Sequence, residues 1–283
     1  MSLANYRDAR TWATAIRDEV LSGRMPPWPA APGYGDFAND ARLSALEADL
    51  VARWAEGGAP LGPDVAKPPR DVGLDRAESV RVDLPATRVV GGGVRRVPVA
   101  LPLDRDRFLT RWAFEPGNRS LVEEARLRVN GRVIGSWTPF DLSVEYPPHM
   151  TDRLPKDAQV AVDVRYRRTS EPVDDRSALT LSFDRRPQRQ LQHLTLACGS
   201  QPIDREIDLI AVQPTAAAAG ETVEVVAYDR DGLVAPVAVV SRYRPDYAVT
   251  YRLRAPIHLA RGSRVDVRSS ADGCSARIDF VSR

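Results

Sequence analysis

The sequence predicts a mainly β chain, two tandem antiparallel β-sandwiches preceded by a short helical segment. Three observations carry this. Apolar residues recur at helical spacing only before about residue 70. From about residue 72 onward they alternate with polar ones, most clearly in QVAVDVRYR, ALTLSF, TVEVVAYD, APVAVVSRY, VTYRLRA, RVDVRS and ARIDFVS, the period of strands with one face on a core. Turn signals such as VNGRV and DRDG separate these strands at close intervals.

Residues 1–70 form the helical segment and linker. Ala9, Trp12, Ala13, Ile16 and Val20 predict a helix over roughly 5–22. Leu46, Leu50, Val51 and Trp54 predict a second over 44–56, where Ser44 caps and Glu47 closes a capping box. Between them MPPWPAAPGYGDFAND is too rich in proline and glycine for regular structure, and GGAPLGPDVAKPPRD reads as a linker of the same kind. Residues 71–186 make the first sandwich and 187–283 the second, with DRRPQRQ at 184–190 as the seam. No helix of consequence is expected after residue 70.

A chain of 283 residues suits two domains of ordinary size, and 43% hydrophobic with 28% charged residues is the composition of a soluble globular protein. No apolar run is long enough for a membrane helix. Forty basic residues, of which only Lys67 and Lys156 are lysines, meet 38 acidic ones for a net charge of +2. That balance excludes strong nonspecific attraction to nucleic acid. The first twenty residues, MSLANYRDARTWATAIRDEV, carry charges throughout and lack the apolar core of a secretion signal.

The common enzyme motifs are absent: there is no GxGxxG, phosphate loop, GxSxG or HExxH. His149, His193 and His258 are the only histidines, each read singly as a surface or loop residue. Asp174 and Asp175 read as a solvated turn. Cys198 and Cys274 stand outside any CxxC or CxxCH spacing, so they are either two buried thiols or a disulfide tying the start of the second sandwich to its last strand. The disulfide would imply an oxidising compartment. AVQPTAAAAGETVEV, at 211–225, sets four alanines at the mouth of a strand, where alanine is a poor choice.

The stretch YRDARTWATAIRDEVLSGRMPPWPAAPGYGDFANDARLSALEADLVARWAEGGAPLG resembles the C-terminal part of a c-type cytochrome domain fused to bacterial copper type II, ascorbate-dependent monooxygenases. The resemblance implies that Met25, in MPPW, occupies the distal haem-ligand position. The chain has no CxxCH, so covalent haem is not expected. Either the haem-binding half has been lost or it precedes residue 1.

The remainder is similar to the two copper-binding, jelly-roll sandwiches of peptidylglycine α-hydroxylating monooxygenase. FEPGNRSLVEEARLRVNGRVIGSW, LPKDAQVAVDVRYRRTSEPVDDRSALTLSF, AVQPTAAAAGETVEVVAYDRDG and YRPDYAVTYRLRAPIHLARGSRVDV carry the likeness. By this resemblance Glu123 and Glu124 replace a His-His pair, Arg165 a further His, and Thr215 and Ala217 a His-x-His; no methionine follows Met150. PTAAAAG then reads as a dismantled copper loop. A salt bridge between Arg165 and one of the two glutamates is expected in place of the metal. The resulting expectation is a degenerate monooxygenase-like scaffold without copper or haem, binding a partner protein or small ligand in the periplasm or outside the cell. The alternative is an oxidoreductase with a rebuilt site.

Overall fold

The computed structural model describes residues 5–63, 78–139, 141, 143–186, 188–245, 247–270 and 273–283. Residues 70 and 71, and Pro187 of the second expected boundary, lie outside the described residues, as does Lys67. In place of one helix over 5–22 there are two, Tyr6–Thr11 and Ala13–Leu21. The Trp12 amide reaches back only to Ala9 O, 3.2 Å away, which tightens the turn and interrupts the i→i−4 ladder. The second expected helix forms over Ala45–Glu56 with both halves of the Ser44–Glu47 capping box. It packs against Ala13–Leu21.

The proline-rich segment between these helices is irregular, as its composition requires, but it is no free loop. Ala30 bridges to Val240 and Phe37 to Leu253. Trp28 and Phe37 each meet the Tyr251 ring with centroids 5.2 Å apart. Gly35 makes the strap possible: its φ is +76, and a Cβ there would lie 2.5 Å from Val237 O. The helical segment is thus fastened to the core of the second sandwich.

The chain is mainly β, and its strands form two face-to-face sandwiches. In the first, one sheet orders Glu78–Asp83, Ala178–Asp184, Arg107–Glu115, Met150–Leu154 and Arg189–Gln190. The facing sheet orders Gly93–Pro98, Val160–Tyr166, Val122–Val129 and Arg132–Trp137. Inward positions such as Trp112, Leu127, Val162 and Leu181 fill the space between them. In the second, Gln192–Ala197, Ser275–Ser282, Ile207–Ala216 and Tyr251–Leu259 face Gly199–Pro202, Arg264–Ser269, Val223–Tyr228 and Val234–Val240. Val212, Val225, Val267 and Ile278 are central to that core.

The seam at 184–190 is not a free linker. Arg189–Gln190 adds to the first sandwich by pairing in parallel with Met150 and Thr151. Asp175, read as a solvated turn, is 1% exposed; it accepts from the Tyr166 and Ser177 hydroxyls and the Asn118 amide. Its strand, Val173–Asp175, pairs with Thr87–Val89 and turns this carboxylate inward.

Candidate functional site

A cleft of about 490 Å³ lies where the sandwiches meet. Ile134, Val144 and Tyr146 line it from the first sandwich, Ile210, Arg277 and Asp279 from the second, and Trp28 and Asn39 from the strap. Below it, Met150, Leu191, Ile210 and Val281 form a small apolar cluster uniting the sandwiches. A polar tie crosses as well: Ser136 Oγ lies 3.3 Å from Oε1 of Gln213, whose Nε2 is fixed within the second sandwich by donating to Ala248 O at 2.8 Å.

The cleft wall includes part of a buried charge cluster. His193 Nε2 stands 2.8 Å from Asp152 of the first sandwich, and Nδ1 stands 2.7 Å from Asp279 of the second. Asp279 also receives Arg277, at 2.9 Å from Nε and 3.2 Å from Nη2. Burial alone would push the His193 pKa down, but the charges and hydrogen bonds of Asp279 and Asp152 outweigh it and raise the value to about 9. His193 is therefore an imidazolium at neutral pH, holding one carboxylate from each sandwich. Burial would raise Asp279, yet Arg277 and His193 bring it below the usual carboxylate range.

Three donors on the cleft wall are buried without a hydrogen-bond partner among the described residues: Arg277 Nη1, the Tyr146 hydroxyl and Trp28 Nε1. Arg277 is 4% exposed. The Tyr146 pKa is raised well above 10, first by burial and then by the charge of Asp152 and a side-chain interaction with it.

His193 is thus no surface residue; the first sandwich covers its sheet face. His149 fits the loop expectation, exposed with φ 64. His258 is half-exposed, with Nδ1 3.3 Å from Asp208 and Nε2 3.6 Å from Glu206. Among the described residues no group of three or more His, Cys, Asp and Glu is arranged to hold a metal.

The positions assigned to copper by resemblance lie elsewhere. A bulge between Val122 and Glu124 brings Glu124 opposite Arg165. Arg165 Nε lies 3.4 Å from Glu124 Oε2, but Arg126 Nε is closer, 2.7 Å from Oε1. Glu124 is 2% exposed, whereas Glu123 turns away toward Arg167 at 3.5 Å. Tyr243 of the second sandwich lies close by: burial first, then the Glu124 charge, pushes its hydroxyl up to about 12. Thr215 Oγ1 is 2.8 Å from Ser275 Oγ, and Ala217 packs against the second core. A carboxylate held by two guanidiniums, a hydroxyl engaged with serine and a methyl group do not fit a copper site. Met25 is 40% exposed and, with no CxxCH in the chain, does not fit a covalent haem. Cys198 and Cys274 form a disulfide with Cα atoms 5.0 Å apart.

Sequence reasoning missed Arg126, His193, Arg277 and the strap. Arg277 and Asp279, two charges at i and i+2 on the otherwise apolar strand ARIDFVS, were the available signal for the cluster. Trp28 and Phe37 were the signal for the strap, since a solvated loop has no need of two large aromatics.

No family model matches the chain, and no curated protein matches it. Solved structures do. The major capsid protein P2 from bacteriophage PM2 is similar at 10% identity and TM-score 0.39, covering 73% of this chain and 98% of that one. A cupin 2 conserved barrel domain protein from Leptotrichia buccalis is similar at 8% identity and TM-score 0.16, covering 75% and 92%. An oxalate decarboxylase of Bacillus subtilis is similar at 7% identity and TM-score 0.19, covering 90% and 87%. At these TM-scores the likenesses carry no argument about this chain; its mainly β fold rests on its own sheets.

Proposed function

We propose that this chain is a noncatalytic scaffold, related to the copper monooxygenases by the sequence resemblance, that binds a small ligand in the cleft between its sandwiches. The observation that carries the reading is a contrast in occupancy. Side chains at the positions assigned to copper are engaged with one another or with the core, whereas the cleft of about 490 Å³ has the size of small-molecule sites and is lined by donors left unpartnered. The disulfide supports a periplasmic or extracellular location, where such bonds persist.

Metal content after expression with copper supplied tests the noncatalytic half. The expected outcome is well under about one copper per chain, because the replaced positions offer no pair of imidazoles to a metal that favours them. Stoichiometric copper bound through His149, His193 or His258 would overturn the scaffold reading in favour of an oxidoreductase with a rebuilt site.

A further inference from the structure

The unpartnered groups on the cleft wall are all of one kind. Arg277 Nη1, the Tyr146 hydroxyl and Trp28 Nε1 can each donate; the other unpartnered buried atoms among the described residues, Trp112 Nε1, Trp137 Nε1, Ser263 Oγ and Asp266 Oδ1, belong to residues that do not line the cleft. A buried donor without a partner is costly, so a ligand that supplies acceptors gains from each one it meets. The Tyr146 hydroxyl, held protonated by burial and by the neighbouring Asp152 charge, can only strengthen this donor character.

Charge decides which acceptors. Arg111, Arg252 and Arg277 on the wall are balanced by Asp141, Glu145 and Asp279. The Arg277 charge is already engaged by both oxygens of Asp279, and His193 is shared between Asp279 and Asp152. A carboxylate brought to Arg277 Nη1 would give up its water and approach Asp279, with no unengaged cation in the cluster to compensate. A neutral carbonyl or hydroxyl oxygen meets the same N–H without that penalty. Ile134, Val144, Leu191, Ile210 and Val249 offer the remaining wall to a carbon skeleton.

We infer that the cleft binds an uncharged, oxygen-bearing small molecule, of the amide or alcohol class, through Arg277, Tyr146 and Trp28. The inference rests on the reading of the cleft as a ligand site and adds its chemical class.

Matched probes separate the two. N-acetylphenylalaninamide and N-acetylphenylalanine, and cyclohexanecarboxamide and cyclohexanecarboxylate, share a skeleton and differ in charge. Each is titrated into the ¹⁵N-labelled full chain, following the Trp28 indole resonance assigned by its loss in Trp28→Phe. The expected result is a shift with the amides at affinities about tenfold above those of the carboxylates. Tyr146→Phe, which removes only a hydroxyl, and Arg277→Lys should each weaken amide binding severalfold. Carboxylates binding as well as or better than the amides would overturn the ligand class and leave the cleft reading in place. Amide binding unchanged in both variants would also overturn it. No shift of the Trp28 signal with any probe would overturn both.

Discussion

Two buried carboxylates organise the charges of this protein, and they differ in reach. Glu124 is 2% exposed and is met by Arg126 and Arg165, both from its own sheet and both partly open to water. Asp279 has 8% side-chain exposure and joins Arg277, His193 and, through the histidine, Asp152, all equally buried and drawn from both sandwiches. The first cluster ties strand to strand within a domain core that Trp112 and Leu127 already hold. The second joins two bodies whose shared apolar patch is small. Equal burial of an acid therefore does not mean equal consequence: what matters is whether its partners can return to water when it is lost.

The comparison is broken most forcefully at Arg277. Replacing it with alanine leaves Asp279 buried with only the shared His193, and removing one partner of a fully buried pair costs about 3–5 kcal/mol. Urea unfolding of Arg277→Ala should show this loss. An effect under about 1 kcal/mol would place the second cluster in the class of surface pairs.

Titration tests the same cluster through His193. Its folded pKa of about 9 stands above its ordinary value of 6.5, so its contribution is fully present below about 6.5 and is lost as pH rises through about 9. At about 1.4 kcal/mol per unit, the full loss is about 3–4 kcal/mol. His193→Gln should flatten the decline in stability between pH 6.5 and 9, whereas Arg126→Ala should leave it intact. A wild-type profile without that decline would refute the imidazolium bridge.

The Glu124 cluster comes next. Arg126→Ala removes the 2.7 Å partner and leaves the acid to Arg165 at 3.4 Å, an incomplete replacement worth about 1–3 kcal/mol. Arg126→Ala and Arg165→Ala should not add, since either cation partly covers for the other. Strict additivity in the double variant would show that the two arginines act separately.

What the sequence made legible follows the same divide between local and long-range order. Alternation in QVAVDVRYR and ALTLSF exposed the strands because each strand's two faces see different environments. Ser44 and Glu47 exposed a helix start because a capping box is complete within four residues. The Glu124–Arg165 contact was approachable through the family resemblance and strand alternation. The bulge at Glu123, which decides which glutamate turns inward, was not, because it depends on the partner strand. His193 and Asp152 are 41 residues apart and meet only once two sandwiches have docked. The strap was misread for a related reason: proline and glycine report the absence of helix and strand, not whether the segment is buried.

Arg165 gives the smallest effect and the sharpest discrimination. Its side chain is 39% exposed and its one contact with Glu124 measures 3.4 Å, so the guanidinium is already largely solvated in the folded state. Removing it leaves Glu124 with the shorter Arg126 bond, so the loss should stay under about 1 kcal/mol, the range of pairs whose cation keeps its water. Were Arg165 the structural heir of a lost metal, Arg165→Ala would cost as much as Arg277→Ala, because a central cross-link between strands would be gone. The expected urea unfolding midpoint is therefore close to that of the parent chain, with a visible loss only when Arg126 is removed as well. A loss of several kcal/mol from Arg165→Ala alone would reverse the ranking and make Arg165, not Arg126, the residue on which Glu124 depends.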